Sequence, residues 1–398
     1  MVGMTAGTDQ GGFMHTQSEV RVGRRGDTTP TRQGVGLVVD LLGMLVWVAL
    51  LTWVVSSGRT PDAAAPMRDL LLLVVATYVL ARLVSRLQQW AVPAVVATAA
   101  TVAAVWHLGG MLSVINVDPL RYANASAALY LTGCASALVV VTRARRREVR
   151  TAATCAAAVC GVMPWVDTAL ASALLVLPLP FALVSREVGM RVRRVIVTSA
   201  ASAVLALGTT AVIGAAWESG SAIDVVVAQT LSGNRAQLWS EALDLMASSP
   251  IRGVGVNRFS VESPTARSDQ DLRWAHNEYL QVGAETGTPG LALAVALLLW
   301  VFARLAIGGR DQGTAVAAVG LAGASIAASI DYIWHFPVVL VAVAALAGAA
   351  GGVPRRGRHH DVAGWNGEPW IDTAVAGDAL WPQQLGDRRR EDPQVEHQ

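Results

Sequence analysis

Gly36-Leu-Val-Val-Asp40-Leu-Leu-Gly-Met-Leu-Val-Trp47-Val-Ala-Leu-Leu-Thr-Trp53-Val-Val-Ser-Ser57 carries a single charged residue, Asp40. Apolar side chains fall on every face when the stretch is wound as a helix. Its length matches the roughly 20 residues that carry an α-helix across about 30 Å of hydrocarbon. The rest of the chain follows suit. Of its 398 residues 53% are hydrophobic and only 15% charged, and mean hydropathy is +0.44. A dispersed soluble surface needs about 25–35% charged residues. The sequence therefore predicts an all-α integral membrane protein and excludes a set of soluble domains.

Working outward with the same window predicts about ten transmembrane helices: Gly36–Ser57, Asp69–Val84, Trp90–Leu112, Ser126–Thr142, Thr151–Met163, Ala169–Val184, Val195–Trp217, Gly290–Ala306, Thr314–Ile330 and Val338–Val353. The fifth and sixth form one apolar block, broken at Pro164-Trp165-Val166-Asp167 by an expected tight external turn. The net charge of +2 hides a sorting of charges by location. Every basic side chain is Arg, and the clusters Arg21/Arg24/Arg25, Arg82/Arg86, Arg143–Arg150, Arg186–Arg194, Arg304/Arg310 and Arg355–Arg358 all fall on one side of a ten-span plan. Short cytoplasmic loops are the ones enriched in Arg, so both termini are expected in the cytoplasm. Arg59 and Arg68, in the first external connection, are the exceptions among the short loops.

The expected organisation is then a disordered cytoplasmic tail over 1–33, seven spans within 34–217, an extracytoplasmic loop over 218–287, three spans within 288–353 and a disordered tail over 354–398. The loop of about seventy residues is the one long connection, and long loops held on rigid scaffolds tend to carry function. A smaller segment, Ile115–Ala125, faces the same side. In the large loop, Asn234 is placed to cap a helix from Arg235 to about Ser248. Its apolar stripe of Leu238, Trp239, Ala242, Leu243 and Met246 suits either the membrane surface or the helix bundle. Pro250-Ile-Arg-Gly253-Val-Gly255 reads as a turn. A second helix is expected from near Asp271 to Gly287, carrying Trp274, His276, Asn277 and Tyr279.

Two of these residues suggest chemistry. His276, the single histidine of the loop, has the ordinary imidazole affinity for protons that suits a general base near neutral pH. Arg235 offers a planar, permanently charged fork that binds phosphate oxygens bidentately. Together at a bilayer they suggest a transfer in which an alcohol attacks as a lipid-held diphosphate leaves, with guanidinium groups offsetting the growing negative charge. From residue type alone, surface exposure or packing remains the alternative for each. Asp269-Gln-Asp271 resembles a metal–nucleotide pair but lies on the wrong side for a cytoplasmic sugar nucleotide. Asn124-Ala-Ser126 is a bare sequon match. Cys134, Cys155 and Cys160 sit in apolar stretches and form neither a disulfide framework nor a zinc spacing. Asp40 and Arg82 are read as structural. A transporter is the competing class, but no internal repeat is visible. A third class is a scaffold in which His276 is dispensable.

The stretch Arg235-Ala-Gln-Leu-Trp239, Ser249-Pro250-Ile-Arg-Gly253-Val-Gly255-Val-Asn-Arg-Phe259, His276-Asn277-Glu-Tyr279-Leu280-Gln281 and Glu285-Thr-Gly287-Thr-Pro-Gly290 resembles the signature region of the O-antigen ligase and O-antigen polymerase family. Arg121-Tyr-Ala-Asn124 and Asp331-Tyr-Ile-Trp-His335-Phe-Pro337 resemble an earlier and a later segment of it. The resemblance implies a multi-span glycosyltransferase of the cytoplasmic membrane, working on cell-surface polysaccharide. It would take a glycan from undecaprenyl diphosphate to an acceptor sugar hydroxyl on a glycan or glycolipid, with inversion and with no metal, cofactor or nucleic acid. It places the base on His276, diphosphate binding on Arg235 and Arg121, and further candidate contacts on Asn277, Glu278 and Trp239, for which orienting or packing roles are the alternative. Ligase and polymerase differ in acceptor, and the sequence does not separate them.

Overall fold

The computed structural model of the protein describes residues 30–112, 118–167, 169–185, 190–217, 233–309 and 311–351. The chain divides into two units, Met1–Pro354 and Arg355–Gln398, and all described residues belong to the first. The expected tails therefore lie outside the described residues, except that the first helix begins at Pro30, inside the segment read as tail. The same holds for residues 218–232 of the large loop, 113–117 of the smaller one, and Arg21, Arg24, Arg25, Arg186, Arg310, Arg355, Arg356 and Arg358.

Among the described residues all regular structure is helical, and eight helices are long and apolar enough to cross a membrane. These are α1 (Pro30–Ser57), α2 (Pro61–Leu87), α3 (Ala91–Leu112), α4 (Ala123–Arg143), α5 (Arg147–Val166), α8 (Val192–Ala216), α12 (Glu278–Gly308) and α13 (Gln312–Ile330). The protein is an all-α integral membrane protein. The other two expected spans are shorter. The sixth is two helices, α6 (Leu170–Val176) and α7 (Pro178–Val184), and the tenth is α14 (Pro337–Ala350). Pro178 explains the break, because it has no N–H to continue the ladder from α6. The fifth expected span is longer than its apolar core: α5 runs through Pro164, Trp165 and Val166, so the anticipated turn reduces to Asp167 at the helix end.

Local signals set several helix starts. Thr60 Oγ1 accepts from Ala63 N at 3.3 Å at the head of α2, and Asp311 Oδ1 accepts from Thr314 N at 2.9 Å at the head of α13. Helices α4 and α13 form the centre of the bundle, with residues 125–140 buried throughout. Their small side chains let backbones approach closely, as in other membrane bundles. A Cβ on Gly320 would stand 2.4 Å from the Ala135 Cβ. Around this pair, α3 and α5 pack on α4, α8 on α13, α14 on α2, and α1 on α12.

Among the described residues, two clusters in the spans pair opposite charges. Asp40 of α1 accepts from Arg82 Nη2 at 2.7 Å and from Arg304 Nε at 2.8 Å, tying three helices together. Arg143 of α4 meets Asp311 at 2.8 and 3.2 Å. Paired intramembrane charges of this kind avoid the cost of an isolated ion in hydrocarbon. Asp40 and Arg82 are accordingly structural ties.

The connection between α8 and α12 folds back on the bundle. It contains α9 (Gly233–Ser248), α10 (Phe259–Glu262), α11 (Pro264–Ser268) and a 3₁₀ turn at Gln270–Leu272. The stripe on α9 faces inward: Leu238, Trp239 and Ala242 form a core with Phe259, Ala266, Ala275, Leu280 and Ala284. The bundle, not the membrane surface, is its partner. The expected second loop helix is corrected. Residues 273–277 are not helical, and the helix begins only at Glu278, where Asn277 Oδ1 accepts from Tyr279 N and Leu280 N at 3.1 and 3.0 Å. That helix does not stop at Gly287 but continues through a kink there into the next span. Gly287 takes φ 74°, and a Cβ on it would lie 2.3 Å from the Ile251 carbonyl oxygen, so only glycine fits. The Pro250–Gly255 turn is stitched across this kink by Val254 N to Ala284 O (2.9 Å), Gly255 N to Glu285 O (3.0 Å) and Thr288 N to Pro250 O (2.8 Å).

Candidate active site

The site gathers where the ends of α4, α9, α12 and α13 meet. Its hub is Asp331, which follows the last residue of α13 and is 2% exposed. One carboxylate oxygen takes a hydrogen bond from His276 Nδ1 at 3.1 Å, and the other is 3.1 Å from Arg235 Nη2. Tyr122 OH donates to the carboxylate at 2.7 Å, Asn124 Nδ2 donates to it as well, and Tyr332 N donates at 2.8 Å. Burial alone would push this carboxyl upward, but the His276 hydrogen bond and the Arg235 charge outweigh it and hold Asp331 below the usual carboxylate range.

An ionised Asp331 only accepts hydrogen bonds, so the nitrogen of His276 facing it carries the proton. The other nitrogen, Nε2, is buried and has no hydrogen-bond partner among the described residues. In neutral imidazole that nitrogen holds the lone pair, the arrangement a general base requires. The backbone supports this pose. His276 sits at φ 49°, a conformation uncommon for a residue with a side chain, and its carbonyl accepts from Trp239 Nε1 at 3.1 Å. The Tyr332 ring meets the imidazole edge-on at 4.7 Å.

Arg235 keeps about a quarter of its side chain exposed after pairing with Asp331. Arg121 lies one residue before Tyr122, at φ 55°, and is exposed; it makes no ion pair among the described residues. The other predicted site residues are occupied within the protein. Trp239 is wholly buried, and Asn277, besides capping α12, donates from Nδ2 to Thr210 Oγ1 at 2.9 Å. Glu278 Oε1 accepts from Trp334 N (2.6 Å), His335 N (3.1 Å) and His335 Nδ1 (3.1 Å). Burial works against a charged imidazole at His335, yet the Glu278 charge prevails and raises its affinity for protons.

The loop is held over this site by two buried carboxylates. Glu285 of α12 accepts from Asn257 N at 2.9 Å and Phe259 N at 3.2 Å. Glu241 of α9 accepts from Thr265 N at 3.2 Å, Thr265 Oγ1 at 2.6 Å and Ser263 Oγ.

The family model for O-antigen ligase matches residues 120–295. Those residues form an O-antigen ligase family domain. The stretch takes in Tyr122, Asn124, Arg235, Trp239, His276 and Asn277, and the family is one of membrane enzymes of the glycan-transferring ligase and polymerase type, acting on lipid-linked glycans. No curated protein matches the chain. The O-antigen ligase domain stops short of Asp331, the residue to which its His and Arg both turn.

Residue-type reasoning missed Asp331, Tyr122, Asn124 and Tyr332 as members of the site. The signal available for Asp331 was a lone carboxylate closing a long Ala- and Gly-rich span, at the head of Asp331-Tyr-Ile-Trp-His335.

Proposed function

We propose that the protein transfers a glycan from undecaprenyl diphosphate to a sugar hydroxyl of a glycan or glycolipid acceptor at the outer face of the cytoplasmic membrane. The observation that carries this reading is His276 Nε2, without a partner among the described residues, on a ring fixed by Asp331 beside the partly exposed Arg235. In the proposed step, Nε2 takes the proton of the acceptor hydroxyl while its oxygen bonds to the anomeric carbon. The bond from that carbon to the diphosphate oxygen breaks, and undecaprenyl diphosphate leaves with the electron pair. Attack opposite the leaving group inverts the anomeric centre. Arg235 and the exposed Arg121 receive the diphosphate and offset its charge, which lets the reaction proceed without a divalent metal. Asp331 orients His276 and stabilises the imidazolium that forms, while Trp239, Asn277 and Glu278 position the backbone around it.

The distribution of Arg supports cytoplasmic termini and an extracytoplasmic catalytic loop over residues 218–287. Ligation and polymerisation share this chemistry and differ only in the acceptor. His276→Ala and Arg235→Ala, made at unchanged membrane abundance, are expected to let undecaprenyl-linked glycan accumulate while surface polymer is lost. Normal surface glycan in both variants would refute the assignment.

A further inference from the structure

The backbone that carries the base is tied on two sides. Gln281, one turn into α12 and 3% exposed, accepts on Oε1 from Ala275 N at 3.0 Å. Trp239 Nε1 of α9 donates to the His276 carbonyl at 3.1 Å. Ala275 is wholly buried, so its N–H depends on the Gln281 oxygen.

The same amide meets a second histidine. A backbone N–H only donates, so the Gln281 oxygen is committed to Ala275 and the amide nitrogen faces the other way. That nitrogen lies 3.4 Å from His335 Nε2 and 3.4 Å from Glu285 Oε1. His335 Nδ1 faces Glu278 Oε1, which already accepts from Trp334 N and His335 N, so Nδ1 carries the proton of the neutral ring. Nε2 then holds a lone pair and accepts from Gln281. A second proton on the ring would set two donors face to face. Turning the amide over restores a bond to His335 but points its NH2 at Ala275 N, which loses its acceptor.

The charges that act on the His335 ring both come from α12, Glu278 and, at longer range, Glu285, and both favour the second proton. Tyr332 lies 6.2 Å from the ring, Tyr279 packs on the neighbouring Trp334, and the head of α4 brings Tyr122, whose hydroxyl Asp331 takes. Trp274 covers the ring at 4.0 Å without a charge. Helices α13 and α14, against which the 3₁₀ turn Ile333–His335 packs, hold no titratable side chain.

We infer that Gln281 is a positioning residue for His276, and that protonation of His335 turns its amide over and releases Ala275. As pH falls, the site is disengaged by His335 as well as by protonation of the base. The effect on turnover rests on the proposed reaction, whereas the release of Ala275 does not, and the test separates the two. The full-length protein in nanodiscs carries ¹⁵N-labelled histidine, and the His276 ring signals are identified by their loss in His276→Ala. Across about pH 5–9 these signals are expected to move in two protonation steps in the wild type, their own and that of His335. One step should remain in His335→Gln and in Gln281→Met. Gln281→Met should also lower turnover about ten-fold at unchanged donor KM, as the loss of one buried hydrogen bond predicts. A single step in wild-type protein, or a Gln281→Met variant that keeps both steps, would overturn the inference. The signals need no turnover, so two steps in a wild-type protein that transfers no glycan would sink the reaction and leave the role of Gln281 standing.

Discussion

His276 Nδ1 stands 3.1 Å from Asp331, although the two residues are separated by the whole of α12 and α13. The carboxylate fixes which imidazole nitrogen can accept a proton. Asp331→Asn retains the shape but replaces an obligate acceptor by a group that can also donate, so the tautomer is no longer imposed. The variant is expected to lose about 10²- to 10⁴-fold in turnover with little change in donor KM. Initial rates on purified protein measure it, and a loss confined to KM would contradict an orienting role.

Trp239→Phe removes the N–H that reaches the His276 carbonyl and also shrinks a wholly buried side chain. A buried carbonyl left without its partner costs about 1–3 kcal/mol. The expected result is a lower thermal midpoint in detergent together with slower turnover, because the strained backbone at His276 loses its anchor.

Gly287→Ala places a methyl group 2.3 Å from the Ile251 carbonyl at a positive φ. Backbone strain of this kind costs of order 1–3 kcal/mol before the clash is counted. The variant is expected to release the Pro250–Gly255 turn, visible as faster proteolysis within residues 250–268 at equal membrane abundance.

The His335–Glu278 pair gives a pH dependence of known sign. The folded protein raises the proton affinity of His335 above the unfolded value of about 6.5. Its contribution to stability is complete below that value and is lost as pH rises through the folded one. Asp331 runs the other way: its depressed carboxyl stabilises the fold above about pH 4 and ceases to do so only as pH falls through the lower folded value. Unfolding midpoints should therefore fall on the alkaline side of pH 6.5, and His335→Gln should flatten that limb alone.

Most of the spans were legible because lipid imposes one rule, a run of apolar residues of sufficient length, and Gly36–Ser57 obeys it on sight. The rule fails at α6–α7 and α14, where helices are shorter than a crossing and Pro178 breaks the ladder. The helix carrying Arg235 was legible from its stripe, but its partner face was not, since a stripe suits lipid and protein equally. His276 was misplaced onto a helix because Asn277 ends the preceding segment with its side chain rather than continuing it. Asp331 stayed hidden because residue type gives no sign that a helix end far downstream returns to His276.

On the proposed reaction, Asp331 also sets when the protein becomes competent during synthesis. The stretch that carries His276 and Arg235 is translated before α13, yet neither has its carboxylate until the chain has been made past the end of α13. A ribosome-bound chain ending near residue 295 would hold the base and the cation with nothing to align them, so premature termination there leaves an inert product.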